Sequence, residues 1–197
     1  MAAAFGYFGK FPALGDFVRA GIDRKFIEPW DHFVQSGLLA SRAAMGEENW
    51  RKAYQSAPIW RFALGERVIA GGPYYGVMMP SQDAVGRLFP LTLVAAGPAP
   101  ALNDAAFFVP LEDAALNMLD SLRSKPELAA MLSALPDAAS NGEIAADQSL
   151  WLSAPGEGYG APLGLSCTGL PDIKSFNTLL NQDKSDWSGE IITGEFA

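Results

Sequence analysis

The residues best suited to chemistry lie in the run GLSCT at 164–168. This run differs by one residue from the turn in which α/β-hydrolases expose a nucleophilic serine, because Thr168 stands where a second glycine is needed. The only histidine, His32, precedes Ser166, which reverses the chain order of those hydrolases. Cys167 and His32 could form a thiol–imidazole pair, but a single cysteine in an apolar strand is typically a small buried side chain. A hydrolase using Ser166 or Cys167 is therefore the least favoured alternative.

A glycine–lysine pair near the start, Gly9-Lys10, superficially resembles a phosphate-binding loop. That loop needs another glycine five residues before the Gly of the pair, and a serine or threonine after the lysine. Ala4 and Phe11 occupy those two places. Large aromatic side chains also flank the glycines and would block a phosphate group. The favoured interpretation is a strand whose glycines let aromatic rings pack.

Ligands for metals and partners for disulfides are scarce in this sequence. His32 and Cys167 are its only histidine and cysteine, which excludes a zinc or copper site built from several such residues. A single cysteine forms no internal disulfide, and this suits a reducing compartment. His32 lies beside the apolar stripe of a predicted helix, where a structural role is favoured over pH sensing. No cofactor is predicted.

The charge of the chain is unevenly distributed. Its net value is −8, with 10 basic and 8 acidic residues in 1–96 and 4 basic and 14 acidic residues in 97–197. Nucleic-acid binding needs clustered lysine and arginine and is not predicted. The start does not resemble a signal peptide, and no run approaches the ~18 apolar residues of a membrane span. A cytoplasmic location without membrane insertion is expected, and the acidic half indicates either solubility, which is favoured, or a polar protein partner.

Hydrophobic periodicity predicts alternating strands and helices. Strands are predicted at 5–11, 59–64, 74–79, 88–95, 149–153 and 163–168, and helices after Asp23 to Met45, at 47–55, 111–122, 126–135 and 173–181. Pro29 is expected in the first turn of the long helix, where no backbone donor is lost. The three closely spaced central strands predict an antiparallel meander. Helices on both sides of it indicate a sheet covered by helices, either layered α/β or α+β.

Four segments form a pattern that is more specific than any single motif. They are YFGKFPALGDFVR at 7–19, FIEPWD at 26–31, APIWRFAL at 57–64 and GVMMPSQDAVGRLFPLTL at 76–93, followed by a weaker element, QSLW, at 148–151. Together they resemble the TagF/ImpM family, accessory proteins of bacterial type VI secretion systems, over about residues 5–153. The departures are small: Phe11 stands where leucine is commoner, Leu14 where a polar or basic residue is common, and Leu152 where the weaker element has a second tryptophan.

This resemblance implies a cytoplasmic post-translational regulator, generally a repressor, of type VI secretion assembly. It implies association with a forkhead-associated (Fha) scaffold protein and a threonine kinase–phosphatase pathway, and it brings no catalytic residues. The predicted fold is a single α/β domain over 1–182, three-layer α/β/α-like with a mixed, largely antiparallel sheet, followed by a loosely held polar tail at 183–197. A structural or accessory subunit of the secretion machine is the alternative function, and the oligomeric state stays open.

Two predicted turns in the family-like segments carry the candidate partner-binding residues. Pro12 and Gly15 fix the first turn, and Pro80 begins the second, in which short polar side chains can bind backbone donors. We expect the turns to converge into a binding surface whose members are Lys10, Asp16, Arg19, Ser81, Asp83 and Arg87. The equally weighted alternative is that these residues only brace one another, because partly buried charges need partners.

Overall fold

A computed structural model describes residues 4–13, 16–119, 125–135, 138–154 and 161–192. In chain order the elements are β1 (Gly6–Gly9), β2 (Val18–Ala20), α1 (Arg24–Met45), α2 (Glu47–Gln55), β3 (Trp60–Leu64), β4 (Tyr74–Met79), β5 (Leu91–Ala96), α3 (Ala105–Asn117), α4 (Lys125–Ser133), β6 (Gln148–Ser153), β7 (Gly164–Thr168), α5 (Phe176–Asn181), a 3₁₀ turn (Lys184–Asp186) and β8 (Glu190–Ile192). Leu14, Gly15, Leu122 and most of the glycine-rich loop before β7 lie outside the described residues.

The described strands form one sheet in the order β2-β1-β5-β4-β3-β6-β7-β8. The predicted meander is confirmed, because β4 pairs antiparallel with both β3 and β5. The other described pairs are antiparallel as well. The sheet is therefore more uniform than the mixed, largely antiparallel arrangement that the sequence indicated.

Helices cover both faces of the sheet, and this confirms the three-layer prediction. Side chains of a strand point alternately to its two faces, so Trp60, Phe62 and Leu64 enter a first core beneath α1, α2 and α5. Ala63, from the same strand, enters a second core beneath α3 and α4. Aromatic rings fill the first core, with centroids 4.7 Å apart for Trp30 and Phe62.

Helix α1 supplies most of one wall of the first core. The side chain of Asp23 accepts a hydrogen bond from the backbone N–H of Lys25 and caps the helix. The helix ends before Gly46, whose φ of 74° suits glycine. The prediction for Pro29 was wrong, because α1 begins at Arg24 and the proline lies in its second turn. Burial of the apolar stripe that begins at Trp30 stabilises the helix by more than the backbone hydrogen bond lost at Pro29.

A glycine in the middle of α1 makes room for α5. A Cβ atom at Gly37 would lie 2.2 Å from the ring of Phe176, which is buried. We expect Gly37→Ala to destabilise the protein by about 1–2 kcal/mol, although alanine by itself favours a helix. Urea unfolding followed by circular dichroism measures this change. Leu39→Ala, at an exposed position of the same helix, is the control, and a Gly37→Ala protein as stable as the wild type would contradict the prediction.

The C-terminal segment is more ordered than predicted. The indole of Trp187 is buried and donates a hydrogen bond to the backbone oxygen of Ser166. Strand β8 then pairs with β7. The predicted loosely held tail therefore does not hold for 183–192, while 193–197 lie outside the described residues. The last helix also begins later than predicted, at Phe176, because the preceding residues form a turn in which Ser175 donates its N–H to Asp172.

Candidate functional site

Lys10 joins the two predicted turns. It follows β1, and its buried ammonium lies 3.0 Å from Oδ2 of Asp83. The same Nζ lies 5.1 Å from the ring centroid of Phe17. The backbone oxygen of Lys10 accepts a hydrogen bond of 2.7 Å from the hydroxyl of Ser81. The turns therefore converge as the sequence predicts, with Lys10 between them.

Asp83 is the centre of this network. Its Oδ1 accepts hydrogen bonds from the backbone N–H groups of Val85 and Arg87, at 3.1 and 2.9 Å. Its Oδ2 accepts from Lys10 and from Nε of Arg87, the latter at 2.6 Å. Burial alone would raise the pKa of this carboxyl, but the hydrogen bonds from Arg87, Lys10 and Val85 outweigh it and hold the pKa well below its usual range. The group therefore stays ionised at neutral pH.

Tyr54 of α2 anchors the other side of the loop between β4 and β5. Its hydroxyl donates to the backbone oxygen of Ser81 at 2.8 Å and accepts from the backbone N–H of Ser81 at 3.0 Å. Burial raises the pKa of Tyr54 well above its usual value, so the hydroxyl keeps the proton it donates. A bridge between Gln82 and Leu88 closes the base of the loop. The loop is thus fixed to both α2 and the end of β1.

The candidate residues separate into two groups. Lys10, Ser81 and Asp83 are buried and brace the turns. Arg87 belongs to the same network, but its side chain is 59% exposed. Asp16 and Arg19 are exposed, and the described contact of the Asp16 side chain is a hydrogen bond from the backbone N–H of Phe17. A partner could touch the exposed residues, while the buried ones act by positioning.

Two exposed apolar residues beside the network were missed from the sequence. Phe17 is 43% exposed, and its ring lies 4.7 Å from that of Phe89 and 5.8 Å from that of Phe8 between centroids. Val85, at the tip of the other turn, is 71% exposed. No periodic pattern marks either residue, because each is a single apolar side chain next to a turn. Their position after Asp16 and Asp83, in the two family-like turns, is the signal that could have identified them.

The fragments of a hydrolase site do not assemble in the described geometry. Ser166 lies within β7, paired with Leu150 on one side and Glu190 on the other, whereas a nucleophile elbow requires a strand-to-helix turn. Burial raises the pKa of the Cys167 thiol, which lies 3.1 Å from the hydroxyl of Ser149. The remaining candidate, the only histidine, is exposed on α1 and lines a separate apolar groove.

The described part of the chain contains neither a cluster of metal-ligating side chains nor a membrane-spanning helix. Among residues 4–13, 16–119, 125–135, 138–154 and 161–192, no three or more His, Cys, Asp or Glu side chains are grouped so that they could hold a metal ion. In the same part of the chain, no helix combines the length and apolar character needed to cross a bilayer.

Comparison with known proteins identifies the family. The family model described as the TagF N-terminal domain, type VI secretion system-associated, matches residues 6–135. The chain therefore belongs to this family, and the predicted relationship to TagF is confirmed. A similar solved structure is the crystal structure of PA0076 from Pseudomonas aeruginosa PAO1, which is 28% identical in sequence with a TM-score of 0.79. The alignment covers 97% of this chain and 98% of that one. No curated protein matches the chain significantly.

Proposed function

We propose that the protein is a non-enzymatic cytoplasmic regulator that represses type VI secretion assembly by binding a component of the machine, an Fha-type scaffold. Membership of a type VI secretion-associated family supports the link to this machine. The observation that carries the binding role is the Lys10–Asp83–Arg87 network, which fixes two neighbouring surface turns. Binding residues are typically found on such turns, held by a rigid scaffold.

The placement of the charges favours binding over catalysis. Burying an ion pair is costly and contributes little net stability, so a buried pair that holds a turn is well explained by a need for a defined surface. The charged groups of Lys10 and Asp83 bind each other, and the carboxylate of Asp83 also binds the turn backbone. The possible nucleophiles, Ser166 and Cys167, lie within β7, where both residues pair with β6. A positioning role for the network thus accounts for these contacts without a chemical step.

Deleting the gene and measuring secretion of the tube protein of the same machine tests this function. A repressor predicts that secretion rises in the deletion strain and returns to its original level when the wild-type gene is supplied. A fall in secretion would instead support the alternative function, a structural or accessory subunit. Unchanged secretion would contradict both functions. Co-purification with the Fha-type scaffold, compared with incorporation into sheared secretion particles, tests the partner separately.

A further inference from the structure

We propose that the partner is bound by a rigid aromatic–arginine surface, consisting of Phe17, Arg19, Val85 and Arg87, and that the facing partner surface is an apolar pocket surrounded by carboxylates. This inference rests on the proposed function and deepens it, because it names the contact residues and the chemistry of the partner. We call these four residues the contact surface. The buried residues of the network lie beneath it and position it.

The ring of Phe17 is exposed and yet fixed. The rings of Phe8 and Phe89 contact it, and the ammonium of Lys10 lies over it. Exposed aromatic side chains held in one orientation are typical of the few residues that dominate interface energies. A ring that is already ordered loses little conformational entropy when a partner covers it. Phe17 therefore has the properties of an interface anchor.

Val85 and Arg87 are carried on a turn with a defined backbone. The N–H of Gly86 donates to the backbone oxygen of Asp83 at 2.9 Å, and the N–H of Asp83 donates to that of Arg87 at 3.1 Å. The carboxylate of Asp83 binds the N–H of Val85 from within the turn. Gly86 has a φ of 80°, which this turn requires and which other residues rarely adopt. An apolar tip on such a turn has no core to enter and is available to a partner.

One residue connects the two parts of the contact surface. Lys10 contacts Asp83, which holds the turn of Val85, and it also lies over the ring of Phe17. Arg19 belongs to the same side of the sheet as Phe17, because Arg19 pairs directly with Phe8 and the Phe17 ring stacks on the Phe8 ring. Phe17 and the turn of Val85 and Arg87 are thus joined through Lys10 and Asp83, and Arg19 lies on the same face of the sheet as Phe17.

The local charge indicates an acidic partner. Of the candidate charges in the two turns, three are basic and two are acidic, in a chain whose net charge is −8. Lys10 and Asp83 are buried. The exposed charges are those of Arg19, Asp16 and Arg87, and the Nε of Arg87 is also bound to Asp83. Arginine binds carboxylates with good geometry, and complementary charge favours association and orientation. A basic partner would be attracted instead to the acidic residues of 97–197.

Three variants test the contact surface in the deletion strain, each with a matched control at equal protein level. Val85→Asp is compared with Leu39→Asp, since Leu39 is 74% exposed on α1. Phe17→Ala is compared with Ile173→Ala, at an exposed position on another part of the molecule. Arg19→Glu is compared with Arg67→Glu, which lies in the connection between β3 and β4, at the other end of the sheet from Val85.

We expect the three variants to release secretion to the level of the deletion strain, while the three controls repress like the wild type. With the purified Fha-type scaffold as the probe, Phe17→Ala should weaken binding by about 30-fold, as the loss of an interface anchor does. The control Ile173→Ala should change the affinity by less than about 3-fold. Binding of the wild type should also weaken as the salt concentration rises.

The outcomes separate this inference from the proposed function. If the deletion does not raise secretion, the repressor function fails, and this inference fails with it. If the deletion raises secretion but folded Val85→Asp and Phe17→Ala proteins repress fully, only the contact surface is wrong. If those two variants lose repression and Arg19→Glu retains it, the acidic character of the partner is wrong. Val85→Asp keeps the test decisive even if Phe17→Ala fails to fold, because Val85 lies outside the core.

Discussion

Replacing Glu112 with alanine is expected to destabilise the protein by about 3–5 kcal/mol, because it leaves a buried charge without its partner. That charge belongs to Arg61 of β3, whose side chain is buried and whose Nε donates to the carboxylate of Glu112 on α3. Nη1 donates to the backbone oxygen of Leu102 at 2.9 Å, and the guanidinium lies 5.1 Å from the centroid of the Phe108 ring. Nη2 has no hydrogen-bond partner in the described structure, so after the loss of Glu112 the uncharged backbone oxygen of Leu102 is the remaining described acceptor.

Urea unfolding of Glu112→Ala and of Asp113→Ala measures this effect. Asp113 is the next residue of the same helix and is exposed, so its replacement should change the free energy of unfolding by less than about 0.5 kcal/mol. Replacing both members of the pair, with Arg61→Met and Glu112→Leu, should restore much of the stability, because apolar residues can substitute for a buried ion pair. A Glu112→Ala protein with nearly wild-type stability would show that Arg61 reaches water when its partner is absent.

Replacing Asp83 with asparagine is expected to loosen both turns and to abolish repression. The substitution removes the charge that faces buried Lys10 and weakens the hydrogen bonds that hold Val85 and Arg87. We expect the Tm at pH 7 to fall, on the order of 5–10 °C. Asp16→Asn is the matched control for the change in Tm, because it makes the same change at an exposed carboxylate in the neighbouring turn.

The stability of the wild-type protein should also depend on Asp83 at acidic pH. Its pKa is lowered on folding, so its contribution is complete above the unfolded value, about 4, and is lost as the pH falls below it. Thermal unfolding at pH 7 and at about pH 3 should therefore show a smaller difference for Asp83→Asn than for the wild type or for Asp16→Asn. Equal pH dependence in all three proteins would mean that other carboxylates dominate the acid side.

The elements were predictable where a strong periodic pattern coincided with local capping or turn residues. Strand β4 has the predicted bounds, and so does α2, which follows Gly46 and carries aromatic residues at helical spacing. Strand β8 was missed because a three-residue strand has no period to detect. The burial of Trp187 depends on a carbonyl of β7, a contact between residues far apart in sequence. Distant contacts of this kind decide the structure of the C-terminal segment.

The candidate site was predictable in its location but not in its burial pattern. Prolines, glycines and opposite charges indicated that the two turns converge, and Lys10 and Asp83 do meet. Lysine is usually exposed and phenylalanine usually buried, whereas here Lys10 is buried and Phe17 is 43% exposed. Lys10 departs from this rule because Asp83 and the Phe17 ring together surround its ammonium. These environments could not be predicted from the sequence, because Asp83 lies far along the chain from Lys10 and Phe17.

The segment that matches the family model ends before the folded sheet is complete. The match ends at residue 135, yet β3, near the middle of the sheet, pairs along its whole length with β6, at 148–153. Trp151 of β6 and Phe176 of α5 also fill the first core. A fragment limited to 6–135 would expose one edge of β3 between two apolar faces, an arrangement that promotes aggregation. The segment by which the family is recognised therefore depends on later residues to complete its hydrophobic core.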